Sequence, residues 1–234
     1  IAVATWTAFV LTPVAGPGTD FKALGVTEPG QTFSGLWAHW NMGANFAASF
    51  DQWFLNLFPR ETPFVFNHGG YQTLNFVPAL ITMILGLMAG ENLRSEKTPG
   101  EKLKWLLKAG GLCLVLALVT GTTLCPVIKR LWTPSWALYS GAVVLWTFAL
   151  FYWFIDIKGR KAWTFPLVVV GMNSIAIYVA YQLTGGWIRS VGKTWLGNDL
   201  FTGTYGALAS SLLVLGVLWT FCWWLYRRKV FIRI

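Results

Sequence analysis

Five long stretches of this chain contain no Asp, Glu, Lys or Arg: residues 62–90, 109–128, 131–155, 162–188 and 200–226. Each reaches the roughly 20 residues with which a helix crosses a bilayer core of about 30 Å. Membrane helices are therefore predicted near 74–90, 106–124, 136–155, 165–183 and 205–225. The opening run 1–14 is also apolar, but at about 1.5 Å per residue it covers only about 21 Å. It has no initial Met, no basic flank and no signal-peptide layout. The expectation is that the sequence begins inside a sixth, truncated helix, with more chain upstream.

Between that run and the next helix lies an outer segment, 15–72, far longer than the roughly 2–8 residues that join bundled helices. Gly16, Pro17, Gly18, Pro29 and Gly30 predict repeated turns in its first half. Further on, Phe33, Leu36, Trp37, Trp40, Ala44, Ala47, Phe50, Phe54 and Leu57 recur at three- and four-residue steps. That spacing predicts an amphipathic helix over about 33–58, with His39, Asn41, Asn45, Asp51 and Gln52 mainly elsewhere on its circumference. Such a helix lies in the membrane interface, or closes as a lid over an outward-facing cavity. The fold class is thus all-α: a polytopic membrane bundle of five full spans and one truncated span, forming a single membrane domain over 1–234 with an outer amphipathic helix.

Composition supports a protein whose solvent is partly lipid. Only 12% of the 234 residues are charged, against about 25% in soluble domains. The 18 Lys and Arg outnumber the 9 Asp and Glu, but they are strung between the apolar runs rather than gathered on one solvated face, so nucleic acid is not an expected partner. They sort by connection instead. Twelve, including Lys97, Lys102, Lys158, Arg227 and Arg233, fall on one side, and six, including Arg60, Arg130, Arg189 and Lys193, on the other. The richer side, with the C-terminus, is predicted to be cytoplasmic and the 15–72 loop to face outward, as in a bacterial inner membrane.

Candidate chemistry is sparse. There is no phosphate-binding glycine loop, zinc-binding histidine helix, Cys-x-x-Cys pair or Gly-x-Ser-x-Gly elbow, and no metal site is expected. Cys113, Cys125 and Cys222 sit within or beside the spans, as small apolar residues. With two histidines and no expected buried carboxylate, the chain has few groups for acid–base work. His68 stands beside Gly69 and Gly70, with Gln72 and Asn75 following at the mouth of a membrane helix. No Asp, Glu, Lys or Arg is expected deep in a span, and the polar residue that stands out there is Asn173. It either bonds a neighbouring helix across a close contact allowed by Gly171 or, with Ser174, lines a polar cavity.

Several ordered motifs resemble a known family. They are Phe50-Asp-Gln-Trp-Phe-Leu, Gly70-Tyr-Gln-Thr-Leu-Asn-Phe-Val-Pro, Leu85-Gly-Leu-Met-Ala-Gly, Lys129-Arg-Leu-Trp-Thr-Pro-Ser-Trp, Phe165-Pro-Leu-Val-Val-Val-Gly-Met-Asn-Ser-Ile and Tyr226-Arg-Arg-Lys-Val-Phe. In order and spacing the chain resembles the C-terminal part of the heparan-alpha-glucosaminide N-acetyltransferase family and its bacterial relatives. The resemblance implies a membrane acyltransferase that takes acetyl from acetyl-CoA on the cytoplasmic side and delivers it to an amino sugar or other glycan on the far side. For such an enzyme, the residues of this chain expected to line the acceptor or pantetheine path are His68, Gln72, Asn75, Asn173 and Ser174, with Trp132 as a sugar-stacking surface. The family's catalytic histidine belongs to an early outer loop near the first membrane helix, and no position here inherits that role. The alternative is a non-catalytic membrane scaffold or accessory subunit. Expected partners are the bilayer and either a second copy of the chain or a larger membrane complex.

Overall fold

The structure, a computed structural model, describes residues 1–16, 18–26 and 32–232; Pro17, Pro29, Gly30 and Arg233 lie outside the described residues. Every regular element among the described residues is helical. The main helices are α1 (Ala2–Val10), α2 (Phe46–Leu55), α3 (Phe76–Arg94), α4 (Pro99–Thr123), α5 (Pro134–Phe151), α6 (Phe165–Gly171), α7 (Ser174–Leu196) and α8 (Gly206–Arg227). Four helical stretches are long and apolar enough to cross a membrane: Thr73–Arg94, Pro99–Thr123, Pro134–Ile157 and Gly206–Arg227. A fifth span is available if the bent pair Ala162–Gly171 and Ser174–Leu196 counts as one. Apolar side chains cover the outer surface of these helices; Leu87 is 69% exposed and Leu183 78%. Such a surface suits hydrocarbon rather than water.

The chain forms two compact units, Ile1–Ile157 and Lys158–Ile234. The first centres on α4 and α5. A capping box starts α4, with Thr98 and Glu101 each bonding the other's backbone. At the start of α5, the Thr133 hydroxyl accepts from Trp136 N–H and Pro134 follows the cap. The core between them holds Ala89, Leu106, Cys113, Ala142, Leu145 and Ala149. Gly110 brings the helices close enough for the Trp146 indole to donate to Leu107 O at 3.2 Å. A Cβ at position 110 would come within 2.5 Å of that indole. Gly110→Ala is therefore expected to destabilise the protein by about 1–3 kcal/mol through overpacking, read as a lower melting temperature in detergent.

The outer segment departs from its predicted single helix. A 3-10 turn, Gly35–Trp40, and α2 replace it, separated by a turn over 41–45. Gly43 has φ +74°, and a Cβ there would meet Leu24 O at 2.5 Å, so helix cannot continue through it. The asparagines on either side take over main-chain partners: Phe33 N–H donates to Asn41 Oδ1 at 2.6 Å, and Asn41 Nδ2 donates to Phe33 O at 3.1 Å. The buried face is also mixed in polarity, with polar residues beside Trp40 and Ala47 of the predicted apolar face. Asn41, Asn45 and Asp51 are buried while Trp53 and Leu57 are exposed, as at a lipid boundary, where polar groups seek partners inside the protein. Asp51 corrects the expectation of no buried carboxylate. Phe9 stacks on Trp40 at 4.2 Å, and with Ala47 and Cys125 they tie α1 and α2 to the end of α4.

The second unit is built on the hairpin of α7 and α8, packed through Ile188, Val214 and Leu218. Instead of one straight helix over 165–183, α6 ends at Gly171 and α7 starts at Ser174, bent by 66°. α7 then runs on to Leu196, so Arg189 and Lys193 are helical residues. Asn173 sits at the break with φ −133° and ψ 39°. It does not bond a helix across Gly171, which faces open space. Its Oδ1 accepts the Ile232 N–H at 3.1 Å, while its Nδ2 is buried without a partner among the described residues.

Candidate functional site

The polar side of α2 holds the extended loop that follows it through side-chain amides rather than a backbone ladder. Asn56 both donates to Phe64 O (3.0 Å) and accepts from Phe64 N–H (2.7 Å). Gln52 Nε2 donates to Val65 O at 3.0 Å. At the start of α2, Asn45 Oδ1 accepts from Ala48 N–H (3.0 Å) as an N-cap and from Gln72 Nε2 (3.0 Å), while its Nδ2 donates to Asn41 O (2.8 Å). Asp51, 3% exposed, accepts the Thr73 N–H on both carboxylate oxygens, at 3.1 and 3.0 Å.

A small recess lies between α2 and this loop, lined by Asp51, Gln72, Met42, Gly43, Gly70 and Tyr71 among others. At ≈ 20 Å³ it has room for about one water molecule. Its polar walls are rich in acceptors. Among the described residues, the buried Asp51 carboxylate has one N–H donor shared between its oxygens, and Gln72 Oε1 is buried with no partner. An occupant that donates hydrogen bonds would satisfy both.

Met42 and Gly70 also line a second pocket of ≈ 320 Å³, completed by Phe33, Trp40, Ile128, Arg130 and Leu131. Leu131 in turn reaches an apolar groove of ≈ 270 Å³ between α1, α2 and α3, walled by Phe9, Phe46, Phe50, Val77 and Asn75 among others. The loop carrying Arg130 and Leu131 is fixed from both ends. Pro126 O accepts from the fully buried Thr133 and Ser135 hydroxyls at 2.9 and 3.0 Å, and Thr133 Oγ1 accepts from Ile128 N–H at 3.1 Å. Asn75 Nδ2 then donates to Arg130 O at 2.7 Å. Nearby, Cys125 donates to Ser135 Oγ, and burial pushes its thiol above the ordinary cysteine range.

Gly70 is the wall shared by recess and pocket. Its φ is +73°, and a Cβ would lie 2.9 Å from Met42 Cε and 3.1 Å from Arg130 Cδ. Gly70→Ala is expected to cost about 1–3 kcal/mol from backbone strain alone and to narrow the passage; thermal unfolding in detergent checks the first effect.

The sequence-predicted residues separate into groups. Gln72 lines the recess and Asn75 the apolar groove. His68 is exposed, with its ring edge-on to Phe66 at 4.8 Å. His39 donates from Nδ1 to Thr12 O at 2.9 Å; because a carbonyl can only accept, that contact sets the imidazole's proton on Nδ1 unless the ring is doubly protonated. Trp132 adopts φ +49°, and its indole nitrogen is buried without a partner among the described residues. Asn173 (0% exposed) and the exposed Ser174 belong to the second unit. Among the described residues, no group of three or more His, Cys, Asp or Glu side chains could hold a metal ion. Sequence reasoning missed Asp51 and Arg130. The adjacent pair Ala47-Ala48 was the available signal for Asp51, since residues that small on an aromatic-rich helix mark a face with something packed against it.

No family model matches the chain. Over 170 residues, 69% of this chain, the sequence is 25% identical to the heparan-alpha-glucosaminide N-acetyltransferase of Homo sapiens. The match takes in 24% of that protein, so the chain spans about a quarter of the length of the relative it matches. With the membrane-length helices, this similarity supports a distant relationship to that acetyltransferase.

Proposed function

We propose that this chain is part of a multi-pass membrane acyltransferase that moves an acetyl group from acetyl-CoA to the amino group of a sugar or other glycan acceptor. The observation that carries the reading is the buried Asp51 beside Gln72, in a recess that adjoins a larger pocket. The similarity to a glucosaminide N-acetyltransferase supports the choice of acetyl group and amino sugar. In this reading the 15–72 loop faces the outer side, the C-terminus is cytoplasmic, and the acceptor enters from outside.

The residues fit one part of acetyl-CoA. The apolar ≈ 270 Å³ groove suits an acyl-pantetheine arm, but none of its lining residues is a cation that could meet the nucleotide's phosphates. When bound, acetyl-CoA supplies an acyl group activated as a thioester. The chain's own residues act on the acceptor. The ≈ 320 Å³ pocket takes the sugar, whose amino group enters the recess, which has room for about one water-sized group. Gln72 Oε1 accepts one N–H and orients the nitrogen. Amide formation at that nitrogen would be matched by cleavage of the thioester C–S bond, with coenzyme A leaving as its thiolate; an Asp51 carboxylate oxygen takes the proton the nitrogen loses, and passing it on to the thiolate would give the free thiol and restore the carboxylate.

The test is transfer of labelled acetyl from acetyl-CoA to glucosamine by the purified protein in detergent, with acetyl-CoA binding measured in parallel. Transfer that depends on Asp51 is expected. Absence of both acetyl-CoA binding and transfer to any amine or sugar would overturn the proposal, and recovery only at fixed stoichiometry in a larger complex would favour the scaffold.

A further inference from the structure

In the second unit, α7 and α8 enclose a groove of ≈ 400 Å³ lined by Tyr181, Arg189, Ser211, Val214, Leu215 and Leu218 among others. Arg189 lies seven residues before the end of α7 at Leu196, about 10 Å along the helix axis. An arginine in an apolar helix normally extends toward the nearer polar interface. This one turns back: its Nη2 donates to the Tyr181 hydroxyl at 3.1 Å, and its guanidinium lies 5.7 Å from the centre of the Tyr181 ring. Tyr181 is eight positions earlier in the helix, about 12 Å along its axis. Gly185, midway between them, makes the arrangement possible. A Cβ there would stand 3.2 Å from the Tyr181 ring, so the ring lies in the trough left by the missing side chain.

A guanidinium has five N–H donors, and among the described residues Arg189 uses one in this contact. The charge is thus held in the groove, with most of its donors free for an anion, above a wall of Val214, Leu215 and Leu218. Leu215 is 55% exposed. We infer that this groove binds the phosphate of an anionic phospholipid, Arg189 pairing with the phosphate and an acyl chain lying on Leu215 and Leu218; the Ser211 hydroxyl is already donated to Ala207 O at 2.8 Å. The apolar wall favours a lipid over a soluble phosphate, which would leave it uncovered. Charge complementarity favours an anionic headgroup, because guanidinium and phosphate match in charge and in paired hydrogen-bond geometry. This site is independent of the proposed acyl transfer.

The test is native mass spectrometry of the whole protein released from mixed micelles containing phosphatidylglycerol. The wild type is expected to retain one phosphatidylglycerol, unaffected by millimolar inorganic phosphate or coenzyme A. Arg189→Gln should lower the retained fraction at least about tenfold. Leu215→Trp, which fills the apolar wall and leaves the charge in place, should do the same, and it keeps the inference testable if the arginine variant does not fold. Equal retention by Arg189→Gln, displacement by inorganic phosphate, full retention by Leu215→Trp, or no retained lipid in the wild type would each overturn it.

Discussion

Asp51→Asn is expected to lower acetyl transfer by about 10²–10³-fold while shifting folding stability by no more than about 1 kcal/mol. The two side chains have the same shape, and an asparagine Oδ1 still accepts the Thr73 N–H that now bonds both carboxylate oxygens. What disappears is the capacity to take a proton in a recess with room for about one water. Turnover and melting temperature, measured on the same preparation, separate this from a structural effect. If turnover survives in a folded Asp51→Asn protein, Asp51 is only a tie for the loop. Asp51→Ala should lose both properties, because it also leaves the Thr73 N–H without its acceptor.

The largest effect on stability is expected at Asn45. This residue is 0% exposed and makes three hydrogen bonds that join the turn before α2, the first turn of α2 and Gln72. Asn45→Ala removes an N-cap, worth about 1 kcal/mol, and strands buried partners at about 1–3 kcal/mol. A total loss of about 2–4 kcal/mol is expected, seen as a melting temperature lower by about 5–15 °C. Gln52→Ala, which loses one exposed bond to Val65 O, should change it by less than about 1 kcal/mol. Equal losses in the two variants would show that Asn45 is not the knot that holds the recess.

The membrane-length helices could be read from the sequence because a missing charge needs no partner to be informative: α5 lies within an uncharged run, and α3, α4 and α8 each take most of their length from one. The break at Asn173 was hidden. Nothing in Val170-Gly171-Met172-Asn173 forbids helix, and what holds the bend there includes an N–H 59 positions later, at Ile232. The outer segment misled for a different reason. Its three- and four-residue periodicity is real, but periodicity assumes water outside and an apolar interior. Here the buried residues include Asn41, Asn45 and Asp51. Of the candidate site, Gln72 and Asn75 were legible as polar residues at a helix mouth. Arg130 was not, because its place depends on Thr133 and Ser135 folding their own loop around Pro126 O.

The bond between Asn173 Oδ1 and the Ile232 N–H also sets a timetable for biosynthesis. Chains are made at roughly 5–20 residues per second, so the acceptor is synthesised about 3–12 s before its donor. During that interval a carboxamide destined for complete burial must be satisfied by lipid headgroups, water or the insertion machinery. The bend between α6 and α7 can therefore reach its final form only after Ile232 has been synthesised, and a ribosome that stalls before Ile232 leaves a second unit whose described helices are all made but whose joint is still open.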